Sequence, residues 1–269
     1  MTDPFHSRPH SPSAPAPAPT TASSGPEPAG EVAVLKACLN GDRSRADHPG
    51  VPITPAELAQ SAYDAALAGA VAVHFHPRGA DGRESLRWSD VEPAVSAVRA
   101  RCPELALGVA TREEIEPELD QRLALLSGWS AGPDFASVNW HEEGAEQVAG
   151  LLIERGIGIE AGLFTPDAAR KFLTWSGPVV RVLVEALPGI SPGADGVAAA
   201  SAVLEVLPGG FELVVHGENE WAWPVLEWAR SKRHGLRAGL EDMLTGPSGE
   251  TVAGNGELVA WAKGSARQG

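Results

Sequence analysis

The chain has 269 residues, 43% of them hydrophobic, and a formal net charge of −14. That acidic balance disfavours nucleic acid and anionic membrane as standing partners, since both select a basic face. Its two cysteines exclude a disulfide framework or a four-cysteine zinc site and fit a reducing, cytoplasmic setting.

Residues 1–30, with the run Ser11-Pro12-Ser13-Ala14-Pro15-Ala16-Pro17-Ala18-Pro19, cannot build a core and read as a disordered Pro/Ala-rich tail. They lack the apolar stretch of a secretory signal. No stretch of the chain approaches the roughly 18 to 20 uninterrupted apolar residues of a membrane span. From residue 31 onward, short apolar runs alternate with longer segments of helical period. Strands are predicted at 32–39, 70–76, 105–110, 134–139, 157–163, 178–184, 211–216 and 235–240. Helices follow them at 55–69, 88–101, 113–127, 143–155, 165–174, 195–207, 218–231 and 255–264. Thr54-Pro55 and Thr165-Pro166 mark two helix starts, with threonine as N-cap and proline in the first turn. Eight βα units in roughly 235 residues match a closed (β/α)8 barrel, whereas a doubly wound open sheet more often stops at about five or six strands. The expected fold is therefore a TIM barrel over 31–269, with active residues at strand C-termini and in the loops after them.

The first βα loop, from Leu39 to Pro52, is polar and longer than a connection needs, so it reads either as a binding loop or as a solvated linker. Strand two ends in Val73-His74-Phe75-His76-Pro77-Arg78, and an i, i+2 pair on a strand points both imidazoles to one face. That pair alone fits two metal ligands or one core and one exposed histidine. Strand eight ends in Arg237-Ala238-Gly239-Leu240-Glu241-Asp242 and closes the barrel against strand one, so its carboxylates face the same mouth. They could merely cap the next element. Two histidines and one carboxylate, however, form a recurrent ligand set that leaves a position open on a zinc-type ion. Thr111, Asn139, His141, Glu160 and His216 fall at or near other strand ends, where a structural hydrogen bond is the competing role. No Gly-x-Gly-x-x-Gly follows the first strand, and the P-loop signature is absent from the sequence. His-x-His also occurs in amidohydrolase barrels, but on the first strand. His216 and Asp242 could complete such a set, which keeps a metal-dependent hydrolase as an alternative.

Pro52-Ile53-Thr54-Pro55-Ala56-Glu57-Leu58, Leu67-Ala68-Gly69-Ala70, the His74–Arg78 segment, Asp81-Gly82-Arg83, the Arg237–Asp242 segment and Asn255-Gly256-Glu257-Leu258-Val259 together resemble the β-keto acid cleavage enzyme family, from about Ala33 to Gly264. The resemblance implies a zinc-holding barrel with His74, His76 and Glu241 as ligands. It further implies that a β-keto acid and acetyl-CoA are converted to acetoacetate and a new acyl-CoA by a homo-oligomer. Asp242 would then be the general base and Arg237 its orienting partner. The family's first-loop carboxylate, which pairs with that arginine, corresponds to Asp42, and Asn40 of the same loop is an expected substrate contact. Ser137 and Asn139 resemble a Thr-x-Asn-like segment, and Glu160 a position that helps choose the substrate side chain. After strand three the family's Ser/Thr-Thr-Gly-Gly is replaced by Val109-Ala110-Thr111-Arg112, which keeps Thr111 as a substrate-binding hydroxyl and loses the glycines. That departure motivates a third reading, a metal-binding barrel without turnover.

Overall fold

The computed structural model describes residues 34–130 and 132–264. The predicted tail at 1–30 lies outside the described residues. Eight parallel strands close in sequence order into a barrel: β1 Leu35–Cys38, β2 Ala72–Phe75, β3 Ala106–Ala110, β4 Phe135–Asn139, β5 Gly158–Leu163, β6 Arg181–Ala186, β7 Leu213–Gly217 and β8 Gly235–Ala238. The helices between them are α1 Pro55–Ala68, α2 Trp88–Arg101, α3 Leu119–Ser127, α4 Ala145–Glu154, α5 Pro166–Phe172, α6 Gly196–Leu204, α7 Ala222–Ser231 and α8 Asn255–Lys263. This is the predicted (β/α)8 fold. No helix among the described residues is long and apolar enough to cross a membrane.

The strand sequences are short apolar runs because their outer faces pack on helices and their inner faces fill the barrel. Gly108 illustrates the fit: a Cβ there would come within 2.2 Å of the Phe135 ring, so β3 gives up a side chain to seat that ring. Helix α1 begins as predicted, with Thr54 Oγ1 accepting from Glu57 N and the Glu57 carboxylate accepting from Thr54 N, a reciprocal capping box. α3 starts six residues later than the predicted 113, at Leu119. Pro117 lacks an N–H and disfavours helical backbone at Glu116, so 113–115 forms a separate turn. A 3-10 turn at Asn219–Trp221 likewise precedes α7.

Closure sets the site. Register pairs Cys38 with His74 and Lys36 with Arg237, so the C-terminal ends of β2 and β8 flank that of β1. β8 stops at Ala238, two residues before the predicted end, and the chain turns: Asp242 N and Met243 N both donate to Gly239 O. Asn255, buried at the start of α8, holds that turn by accepting from Leu240 N (2.8 Å) and donating to Leu39 O (2.9 Å).

Candidate metal centre and active site

His74 lies on β2, and His76 follows its end, where its backbone N–H donates to Asn40 Oδ1 at 2.9 Å. Asn40 Nδ2 in turn donates to Pro52 O and His76 O. Gly41 has φ +52°, and a Cβ there would meet Glu241 Cγ at 2.6 Å, so only glycine lets the first loop pass under that carboxylate. The imidazoles face each other with their Nε2 atoms 3.1 Å apart, and Glu241 Oε1 stands 3.9 Å from His74 Nε2 and 3.5 Å from His76 Nε2. One ligand atom from each of the three residues falls within 4.8 Å of the others.

The electrostatics suit a divalent cation. Burial holds His74 well below the ordinary histidine range and so neutral, with a lone pair to give. Burial works the same way on His76, but the Glu241 and Glu84 carboxylates outweigh it and raise its pKa. Burial also opposes charge on Glu241, yet Arg237 and then His76 hold it well below the usual carboxylate range. Glu241 Oε2 is buried without a hydrogen-bond partner among the described residues. An anionic oxygen left unsatisfied beside two imidazoles is what a bound cation would complete, so the residues fit a zinc-type ion.

Arg237 organises the wall beside these ligands. Its Nη2 donates to Glu241 Oε1 (2.6 Å) and Asp242 Oδ1 (2.7 Å), its Nε is shared by both Asp242 oxygens (3.1 and 3.2 Å), and its Nη1 reaches Glu185 Oε2 (3.2 Å). Asp242 is fully buried against that guanidinium. Arg43 straps the first loop across the mouth, donating to Glu241 O and to Asn219 Oδ1.

A cavity of about 540 Å³ opens over the ligands, and Ser137, Asn139 and His141 line it on the β4 side. The other expected contacts are placed differently. Thr111 Oγ1 is spent on Ser137 O at 2.7 Å. Asn40 is buried and occupied in bracing His76. Glu160 lies wholly inside the barrel, paired with Lys36 Nζ and 3.4 Å from Arg181, rather than on the cavity wall. Asp42 lines the cavity but neighbours Arg112 at 3.6 Å, whereas the carboxylates paired with Arg237 are Asp242, Glu241 and Glu185. His216 does not join the ligand cluster: its Nε2 lies 2.9 Å from Glu185 Oε2, and burial drives its pKa down to about 3.

Three acidic residues at the mouth escaped the sequence reading. Glu84 contacts His76 Nδ1, and an Asp81-Gly82 turn beginning seven residues after His74 was its only signal. Glu185 lies one residue beyond the predicted end of strand six; burial raises its pKa to about 7. Glu218, just after β7, is raised to about 8, chiefly by burial and then by Asp242.

The profile of the beta-keto acid cleavage enzyme family matches residues 33–268. A 3-keto-5-aminohexanoate cleavage enzyme from Fusobacterium nucleatum subsp. nucleatum is 27% identical over 246 residues, covering 85% of this chain and 89% of the relative. Among solved structures, ObcA in a ternary complex with a C4-CoA adduct and oxalate superposes with a TM-score of 0.64 at 18% identity, over 81% of this chain and 64% of that one. A type I 3-dehydroquinate dehydratase from Clostridium difficile gives 0.57 at 10% identity, over 87% and 93%. These two likenesses show the barrel alone, and this chain spans less than two thirds of ObcA's length. The family match, by contrast, runs from before β1 to beyond α8 and takes in the His-x-His strand and the Arg237–Asp242 turn, so the chain belongs to the beta-keto acid cleavage enzymes.

Proposed function

We propose that this barrel is a zinc-dependent β-keto acid cleavage enzyme that uses acetyl-CoA and releases acetoacetate and a new acyl-CoA. The observation that carries the reading is the meeting of His74, His76 and Glu241 at one mouth with the Arg237–Asp242 pair. Solved complexes of ObcA with oxaloacetate, and with a C4-CoA adduct and oxalate, support a keto acid and CoA as ligands. Zinc held by His74, His76 and Glu241 would supply a Lewis acid toward the keto group of the substrate.

Asp242 takes the proton from the carbon between the keto and carboxylate groups. Arg237 holds Asp242 in position through its Nε and Nη2 bonds, and its guanidinium offsets the charge that develops on the substrate. The resulting carbanion attacks the thioester carbonyl of acetyl-CoA and CoA leaves as thiolate. The thiolate attacks the original keto carbon, the carbon–carbon bond breaks, and the departing acetoacetate carbanion recovers its proton from Asp242. Ser137 and Asn139 present a hydroxyl and an amide from the β4 side to the carbonyl oxygens that gain charge. Both cysteines are free and buried, which suits a reducing, cytoplasmic setting.

Two substitutions test the assignment. His76→Ala is expected to lose most of the bound zinc and the activity together. Asp242→Asn is expected to keep zinc, measured by metal analysis, and to lose turnover by about 10²-fold or more, the range of a general base. Full turnover in both variants would remove these residues from the mechanism.

A further inference from the structure

Glu84 and Arg112 lie outside the ligand set, yet they reach it through one chain of hydrogen bonds. After β2 the backbone folds back on itself: Ser85 N donates to Pro77 O, Gly79 N to Arg83 O, and Arg78 and Glu84 form an antiparallel bridge around the Asp81-Gly82 turn. This small hairpin returns Glu84 to the end of the strand it left. Its Oε1 contacts His76 Nδ1, with both side chains largely buried. On its far side the same carboxylate takes two bonds from Arg112, Nε to Oε1 at 3.2 Å and Nη2 to Oε2 at 2.6 Å. Arg112 comes from the loop after β3, lines the mouth cavity and also stands 3.6 Å from Asp42.

An ionised carboxylate only accepts, so the proton between Glu84 and His76 belongs to Nδ1, and the lone pair of His76 is fixed on Nε2, the atom facing His74 and Glu241. A bidentate arginine behind the carboxylate removes its freedom to swing away. His74 has no such brace among the described residues, where its Nδ1 is buried without a partner.

We propose that Glu84 and Arg112 are a positioning pair for the metal centre: Glu84 sets the tautomer and ring orientation of His76, and Arg112 holds Glu84 in place while walling the mouth. The inference rests on the metal reading above and extends it to two residues that touch neither the ion nor the reacting carbon. It also gives the bulky Arg112 a constructive role in a site that works.

The test is zinc affinity of the purified, metal-stripped full chain, measured by competition with a chromophoric chelator, alongside the melting temperature of each stripped variant. Glu84→Ala is expected to weaken zinc binding by about 10- to 100-fold, the usual effect of losing an outer-shell partner, with the melting temperature little changed. Glu84→Gln keeps an acceptor oxygen for Nδ1 and should recover part of that loss, and it serves as the test variant if the alanine protein does not fold. Arg112→Ala should weaken zinc binding by a smaller factor. Because both residues act through one path, the double variant Glu84→Ala/Arg112→Ala should bind no more weakly than Glu84→Ala. Zinc affinity equal to wild type in Glu84→Ala, or a double variant weaker by the product of the two single effects, overturns the pairing and leaves the metal reading standing. A wild-type chain that binds no zinc overturns both.

Discussion

Lys36 and Glu160 form an ion pair with no solvent exposure, inside a barrel that also buries Glu185, His216 and Arg237. Removing one partner of such a pair leaves the other charged and desolvated, a loss of about 3–5 kcal/mol, while removing both can be nearly neutral. Lys36→Met is therefore expected to destabilise the chain by about that amount in chemical denaturation, and Lys36→Met/Glu160→Gln to recover much of it. Glu160 also shows why single residues were only partly legible. Strand parity says which side chains point inward, but not at which depth: Glu160 faces Lys36 across the interior, whereas Asn139, in register with Gly162 two residues further along β5, lines the mouth. The ligand candidates could be read because they sit at strand ends in two motifs that closure brings together. Asn40, Thr111 and Asp42 have partners other than the expected ones, since their contacts depend on loop geometry that no periodicity records.

Among the elements, α1 is the most fully specified by its own sequence. Thr54, Pro55 and Glu57 give cap, first-turn proline and capping box within four residues. Bonds from Thr54 N lead the causes that hold Glu57 down at about 2, with burial opposing and Ile53 N and Arg45 assisting. A carboxylate with a depressed folded-state pKa contributes stability above its unfolded value of 4.5 and loses it as pH falls through about 2. The stability gap between wild type and Glu57→Gln should thus be constant above about pH 5 and shrink steadily toward pH 2 in acid-titrated unfolding. A gap independent of pH would show that the carboxylate charge does not take part. Element boundaries were less legible where apolar composition and geometry part company. Val179 and Val180 extend an apolar run, but β6 begins at Arg181 and Val180 remains 45% exposed, so the strand starts three residues later, ends two later and carries Glu185 into the mouth.

At the scale of the whole molecule, the count of eight βα units was enough to predict closure, because only a closed barrel pairs strand eight with strand one. Closure is also what turns two motifs some 160 residues apart into one site, since Cys38 pairs with His74 on one side of β1 and Lys36 with Arg237 on the other. The loops and strand ends of the mouth obey no such rule, which is why Glu84, Glu185 near the end of β6 and Glu218 just after β7 emerge only from the structure. The reaction assigned to that mouth makes a carbon-by-carbon prediction. Metal-loaded protein should be given a β-keto acid and acetyl-CoA labelled with carbon-13 in the acetyl group, and the products separated by mass spectrometry. The account predicts labelled acetoacetate together with an unlabelled new acyl-CoA derived from the keto acid. Folded, zinc-loaded protein that yields no labelled acetoacetate across a panel of β-keto acids, or that releases the label only as free acetate, would contradict it.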